Sequence, residues 1–233
     1  MNKKLKKYFI KYTLEFFVIV LGISFSFFVQ NVRQEKEIDS KRELIMKNLL
    51  DELESSQNYI IERKSEFERE MNYVNKLLND SLSIKMIKEY PDNKSPLNPF
   101  FSALRFNPSS SIYNSLVSDG SLNLIKSSSL KALIDEVYKS NFNYIQYFIK
   151  SEYDAGQEAE QFFINNHANV YIKNFWFNIS DDKLINNVLQ IMKNDIHFKA
   201  LMVKKISFME AKNGTVDYYS KKRDSLITLL KKN

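Results

Sequence analysis

Apolar residues recur at seven-residue intervals between residues 34 and 90, which is the spacing of a helix that buries one face. The series consists of Met46, Leu53, Ile60, Phe67 and Val74. Polar side chains occupy the alternate positions of this seam: Ser56, Arg63 and Glu70. A helix that packs on its own chain tolerates such positions better than a two-stranded coiled coil does. The pattern therefore predicts one long helix over residues 34–90, within an elongated antiparallel helical bundle.

All four prolines lie within residues 91–109, and we expect a loop there because proline lacks a backbone N–H. A short helix over residues 110–118 should follow, closed by Gly120 in the left-handed conformation. One of the serines 127–129 should cap a third helix that extends to about residue 166.

The last helical pattern continues nearly to the C-terminus. Ser180 is the expected cap, with Asp181 and Asp182 in the first turn, where carboxylates complement the helix dipole. The Asn-Asp pair at 194–195 and the Asn-Gly pair at 213–214 are candidate kinks. Since no stretch is dominated by strand patterns, the sequence predicts an all-α fold.

Residues 12–32 contain a single charged residue, Glu15. As a helix they would extend roughly 30 Å, about the thickness of the hydrocarbon core of a bilayer. The lysines before this segment favour a transmembrane helix over the buried helix of a soluble protein. A cleaved signal peptide would need small residues at its cleavage site, and Ser24-Phe25-Ser26 is the only candidate. We therefore expect an uncleaved single-pass anchor.

The net charge of +6 is concentrated beside the anchor. Five lysines and one glutamate precede residue 31, so the rest of the chain has 29 basic and 27 acidic residues. This distribution argues against binding of nucleic acid, which requires a basic face on the folded domain. It favours a basic cytoplasmic tail (1–11), a transmembrane anchor (12–32) and a periplasmic helical domain (33–233) in the inner membrane.

The anchor has one stripe of polar and small residues, consisting of Glu15, Gly22 and Ser26. Small residues four apart allow close approach of a second helix, and an acidic group near hydrocarbon usually faces a partner or water. The stripe is thus a candidate membrane partner-packing face. In the alternative interpretation Glu15 extends to the cytoplasmic interface, and Gly22 and Ser26 have no packing role.

Aromatic residues are concentrated in the connector after the third helix: Tyr171, Phe175, Trp176 and Phe177. If the first long helix leaves the membrane and the third returns toward it, this connector lies near the lipid headgroups. Trp and Tyr are favoured at that depth, so these residues are candidate membrane-interface aromatics. Alternatively, the rings close the end of the domain's own core.

The chain resembles a family of uncharacterised single-pass membrane proteins of Bacteroidota, a domain of unknown function. The anchor residues that carry the resemblance are Glu15, Gly22, Ser26 and Gln30-Asn31. The middle motif consists of residues 106–111, Tyr113, Leu116, Gly120, Leu122 and Leu124-Ile125. Leu14 and Val32 depart from the family pattern, which has Gly and Trp there. The resemblance implies topology and lineage, and no activity.

Chemical signatures are scarce. His167 and His197 lack the glutamate three residues earlier that helical di-metal sites use, since Ile164 and Asn194 stand there. No Gly-rich phosphate loop is present, and the serine clusters are explained as helix caps. The sequence therefore predicts no enzymatic activity, no metal and no cofactor.

Two classes of function remain. The first is a structural or adaptor subunit of an inner-membrane and periplasmic assembly, whose partners are the lipid bilayer and a membrane protein or a second copy. The alternative is a periplasmic ligand-sensing module that signals through a membrane partner. A cytoplasmic tail of about eleven residues holds no output domain, which favours the adaptor.

Overall fold

The structure, a computed structural model, describes residues 3–90, 97–172 and 181–232. Its α-helices are α1 (Lys3–Ser55), α2 (Gln57–Leu78), α3 (Ile84–Lys88), α4 (Asn98–Phe101), α5 (Ser111–Ser118), α6 (Ser128–Asp135), α7 (Asn141–Asn166), α8 (Ala168–Tyr171), α9 (Asp182–Asn194) and α10 (Ile196–Leu230). A 3-10 turn covers Ser121–Leu124, and a π-helical turn, Glu136–Ser140, joins α6 to α7. Over these described ranges no strand is present, and the all-α prediction is confirmed.

The long helix expected over residues 34–90 differs from prediction at both ends. It continues without a break from the apolar N-terminal segment, and only Ser56 separates α1 from α2. It ends at Leu78 because Asp80 adopts a left-handed conformation with φ 58°. The short α3 then begins at its own cap, where the Ser83 hydroxyl accepts a hydrogen bond from the Met86 amide at 3.3 Å.

The middle of the chain follows prediction except in the expected loop over residues 91–109, where Asn98–Phe101 forms the helix α4. Residues 91–96 of that loop lie outside the described residues. Gly120 has φ 76° directly after α5, as expected for a left-handed helix end. Ser127 caps α6, accepting a hydrogen bond from the Leu130 amide at 3.2 Å. The third helix extends to Asn166 but contains the π-helical turn, which the apolar periodicity did not indicate.

The C-terminal helices require three corrections. Asp181 caps α9 and accepts hydrogen bonds from the amides of Lys183 and Leu184, whereas Ser180 lies outside the described residues. The pair at 194–195 is a complete break, since Asp195 caps α10. The pair at 213–214 is not a kink, because α10 continues through it.

The apolar core consists of two clusters. The proximal cluster contains the buried residues of α1 and is formed by Ile45, Leu49, Leu53, Ile60, Phe67, Phe106, Ile134, Ile145, Val216, Leu226, Leu230 and their neighbours. The distal cluster is formed by Val74, Leu77, Leu82, Phe100, Phe101, Phe162, Phe163, Leu184, Phe198, Met202, Met209 and their neighbours. Helix α10 spans both clusters and packs against α7 and α2.

Cluster membership gives the direction of the third helix. Ile145, near the start of α7, belongs to the proximal cluster, and Phe163, near its end, belongs to the distal one. The expectation that this helix returns toward the anchor is therefore wrong, because it leads away from α1. Near its middle α7 approaches α4 closely at Gly156, where a Cβ atom would lie 2.5 Å from the carbonyl oxygen of Phe101.

Candidate functional site

Within the described residues, one helix, α1, is long and apolar enough to cross a membrane. Its apolar side chains are exposed on every face; Phe16, Phe25 and Phe28, for example, are 63%, 68% and 64% exposed. Among the side chains of α1 that the structure describes, which begin at Lys11, Ile45 is the first that is buried. A surface of this size and apolarity requires a cover of lipid or of other helices.

The three residues of the proposed packing face lie on this exposed part of α1. Glu15 forms an ion pair with Lys11 one turn earlier, at 3.7 Å. The Ser26 hydroxyl donates to the Gly22 carbonyl oxygen at 2.9 Å, and no atom lies within 4 Å of a Cβ built at Gly22. The Lys11 contact fits the interpretation in which Glu15 extends to the interface. No other described segment covers the face, so both interpretations stay open.

Of the four aromatic residues proposed to lie at the membrane interface, the structure describes only Tyr171. This residue packs against the distal cluster, and its hydroxyl donates to a Glu160 carboxylate oxygen at 2.9 Å. Phe175, Trp176 and Phe177 lie outside the described residues. The interface hypothesis assumed a third helix that returns to the anchor, and α7 leads the other way. For the three rings beyond Tyr171 the hypothesis stays an untested prediction.

A buried ionic cluster lies between the two apolar clusters. Glu152 of α7 and Lys205 and Lys212 of α10 have fully buried side chains. The Lys212 ammonium donates to one Glu152 oxygen at 2.5 Å and lies 3.9 Å from the centre of the Phe67 ring. The Lys205 ammonium lies 3.7 Å from the other Glu152 oxygen and donates to the Ser102 carbonyl oxygen at 2.6 Å. Each lysine of the cluster thus has the Glu152 carboxylate within ion-pair distance, as buried charges require.

The environment of Lys205 lowers the pKa of its ammonium group. Burial lowers its pKa from 10.5 to about 8, and the Lys212 charge acts in the same direction. The carboxylates of Glu152 and Glu70 oppose the change. Glu70 is itself buried, on α2.

The sequence interpretation missed these residues although a signal was present. Apart from Ile206, the buried positions of α10 alternate in steps of four and three: 198, 202, 205, 209, 212, 216, 219, 223, 226 and 230. This is heptad spacing, and Lys205, Lys212 and Arg223 occupy three of its positions. The buried face of α10 therefore includes charged positions as well as apolar ones.

A second buried carboxylate connects α1 to the start of α5. Glu52 is 5% exposed, and one of its oxygens accepts a hydrogen bond from the Ile112 amide at 2.8 Å. The other oxygen accepts from the Tyr113 amide at 3.3 Å, and the hydroxyls of Ser109 and Ser111 also donate to Glu52. These serines belong to the motif at residues 106–111, and their role is to fix α5 on α1.

A similar contact holds α10 against the junction of α1 and α2. The guanidinium of Arg223 is 2% exposed and donates to the Leu53 carbonyl oxygen and to the Gln57 side chain. Two buried charged side chains, Glu52 and Arg223, thus lie close to Ser56, the residue that separates α1 from α2.

The two histidines take part in aromatic packing. The centre of the Phe162 ring lies 5.3 Å from the His167 ring and 5.7 Å from the His197 ring. Among the described residues, no group of three or more His, Cys, Asp or Glu side chains has the arrangement of a metal site.

The chain matches no protein-family model, no curated protein and no solved structure. The resemblance to the Bacteroidota family therefore stays a prediction from the residues quoted for it.

Proposed function

We propose that this chain is a membrane-anchored structural or adaptor subunit that acts by helix–helix docking in an inner-membrane and periplasmic assembly. In this proposal the N-terminal tail is cytoplasmic, and residues 12–32 cross the membrane once. The helices from residue 33 onward form an elongated antiparallel bundle in the periplasm. Its partner is a membrane protein or a second copy of the chain.

The observation that carries the proposal is the continuity of α1. The helix extends from Lys3 to Ser55, and from Lys11 onward its first buried residue is Ile45. A flexible linker would let the domain move independently of its anchor, whereas one helix fixes the distance and rotation of the domain. About 10 Å of helix separates the end of the apolar segment from Asp39, where contacts with the domain begin. The continuous helix α1 therefore supports a role in which the protein positions its folded domain beside a membrane partner.

The distribution of charge supports the same arrangement. The lysines of residues 1–11 favour a cytoplasmic N-terminus. At the base of the domain, Arg42 donates to the Leu124 carbonyl oxygen at 2.8 Å, and Asp39 lies between Arg42 and Lys126. These contacts hold the 3-10 turn and the start of α6 close to α1, so the domain is braced at its proposed membrane-facing end.

The proposal is tested by crosslinking in native membranes followed by purification and mass spectrometry. We expect a stoichiometric membrane partner or a second copy crosslinked to the anchor. The variant Gly22→Leu should weaken that crosslink several-fold, because each close helix contact contributes about 1 kcal/mol. Phe17→Leu, on another face of α1, is the matched control and should leave it unchanged.

Two outcomes would contradict the proposal. A chain that remains a monomer, without crosslinked protein, has no docking partner and is not an adaptor. If the yield of crosslinked partner is the same in both variants as in the wild type, the face of Glu15, Gly22 and Ser26 is not the docking surface in the membrane.

A further inference from the structure

A cavity of about 290 Å³ lies beside the π-helical turn, on the side of the proximal cluster. Its walls come from the segment 108–114 at the start of α5, the π-helical turn, the first residues of α7 and Tyr219 of α10. Its volume is close to the lower limit of pockets that bind small molecules. Neither the anchor nor the buried ionic cluster contributes to it.

The π-helical turn supplies three consecutive residues to this cavity: Val137, Tyr138 and Lys139. In an α-helix, consecutive side chains are rotated by about 100°, so three in a row point to different sides. The wider turn of a π-helix reduces that rotation. π-helical turns are rare and are frequent at functional sites. The π-helical turn therefore contributes three consecutive residues to the wall of the cavity.

The walls offer hydrogen-bonding groups and one cation. Ser109, Ser110, Asn114, Asn143 and three tyrosines line the cavity, and no carboxylate does. Ser109 already donates to Glu52 and Asn114 to Ser110, so each of these hydroxyls keeps part of its hydrogen-bonding capacity for a ligand. Burial and the nearby Glu52 carboxylate raise the pKa of Tyr138, which keeps it a neutral phenol. Lys139 is exposed and forms no ion pair with any residue that the structure describes.

We propose that this cavity binds a small hydroxylated organic anion of about monosaccharide size. The Lys139 ammonium pairs with the carboxylate or phosphate of the ligand. The serine hydroxyls and asparagine amides take its hydroxyl groups, and the tyrosine rings form an amphipathic wall. The site goes beyond the adaptor role and does not depend on it. It is also the kind of site that the ligand-sensing alternative requires.

The test is calorimetric titration of the full-length chain in detergent with three probes of similar size. Glucuronate supplies a carboxylate, glucose 6-phosphate supplies a phosphate, and glucose is the neutral control. We expect saturable binding of at least one anion and no saturation by glucose. Lys139→Ala should raise the dissociation constant about tenfold, because a charge-assisted hydrogen bond is lost.

Two further variants keep the result specific. Lys221→Ala removes another exposed lysine, on α10 and outside the cavity, and should leave binding unchanged. Asn143→Trp fills the cavity from an exposed position of α7 and should abolish binding while the circular dichroism spectrum stays the same. The proposal is overturned if neither anion saturates at millimolar concentration. It is also overturned if neither Lys139→Ala nor Asn143→Trp changes the dissociation constant of the anion.

Discussion

Lys205 shows how a single buried charge sets the pH dependence of this fold. Its pKa is lowered from 10.5 to about 8, chiefly by burial. Between these pH values the unfolded chain binds more protons at this site than the folded chain does. The free energy of unfolding therefore rises with pH across the window, and the cost of burying the charge is greatest below pH 8. The full effect is about 3 kcal/mol.

The corresponding prediction concerns Lys205→Met, which keeps the size of the side chain and removes the titrating group. Wild-type protein in detergent should become more stable to urea from pH 7 to pH 9.5, and the variant should lose most of this rise. Lys204→Met removes the neighbouring exposed lysine of α10, which pairs with Glu158, and should keep the wild-type slope. Parallel pH profiles for all three proteins would show that Lys205 does not titrate in this range.

Sequence patterns identified the buried apolar residues and missed the buried charged ones. The seam residues Leu53, Ile60, Phe67 and Val74 are buried as predicted, because burial of apolar side chains determines which face of a helix turns inward. Lys205 and Lys212 were missed because lysine is almost never fully buried unless it is paired. Their partner, Glu152, lies on another helix, and heptad periodicity within α10 does not identify it.

At the scale of helices, Glu52 holds two elements together that the sequence presented as unrelated. Its carboxylate supplies the acceptors for the first amides of α5, at a site buried against α1. A buried amide that loses its acceptor costs about 1–3 kcal/mol. The stability of α5 in its position therefore depends on a side chain about sixty residues away in the sequence.

The resulting prediction concerns Glu52→Ala. Hydrogen exchange at the amides of Ile112 and Tyr113 should accelerate about tenfold or more, because these groups lose their acceptor and α5 opens more often. Exchange in the middle of α10 should change much less. Glu54→Ala is the matched control, since Glu54 lies two residues away, is exposed and pairs only with Lys231 in the described residues. Equal exchange at Ile112 in both variants would contradict this role of Glu52.

Helix boundaries were predictable where a cap or a turn has a local cause. The boundaries at Ser127 and Gly120 depend on residues within one or two turns. At 194–195 the position of the interruption was predicted, as a kink, and the structure has a complete break there. The π-helical turn was not predictable, because residues 136–140 carry no breaker and its extra residue is accommodated by packing. The direction of α7 was missed for a related reason: periodicity specifies which face is buried and does not specify which end of the partner helix it meets.

At the scale of the whole molecule, α1 connects two environments with opposite requirements. Its N-terminal part exposes apolar side chains on all faces, and its C-terminal part buries one stripe in the proximal cluster. Between them, residues 33–38 contact no other helix of the described chain closely enough to be buried. This short segment is therefore the only mechanical connection between the proposed membrane anchor and the folded domain that the described residues contain.

The last prediction tests whether this connection must be rigid. Replacing residues 35–37 by three glycines keeps the length of the chain and weakens α1 locally, since each glycine costs a helix about 1 kcal/mol relative to alanine. Replacing the same residues by three alanines removes the same charges and preserves the helix, so it is the matched control. If anchor and domain dock on one partner as a single rigid unit, the glycine variant should reduce the partner crosslink several-fold. The alanine variant should retain it.

Comparison of the two variants shows whether α1 holds the domain in a fixed position or only keeps it attached to the membrane. In both variants the folded domain should melt at the wild-type temperature, because residues 35–37 do not contribute to either apolar cluster. A difference in crosslinking between them then reports on the stiffness of α1 and not on folding. Equal crosslinking would mean that the anchor only keeps the domain at the membrane. In that case the continuity of α1 would no longer support positioning by the helix, and the adaptor would have to recognise its partner through the anchor and the domain independently.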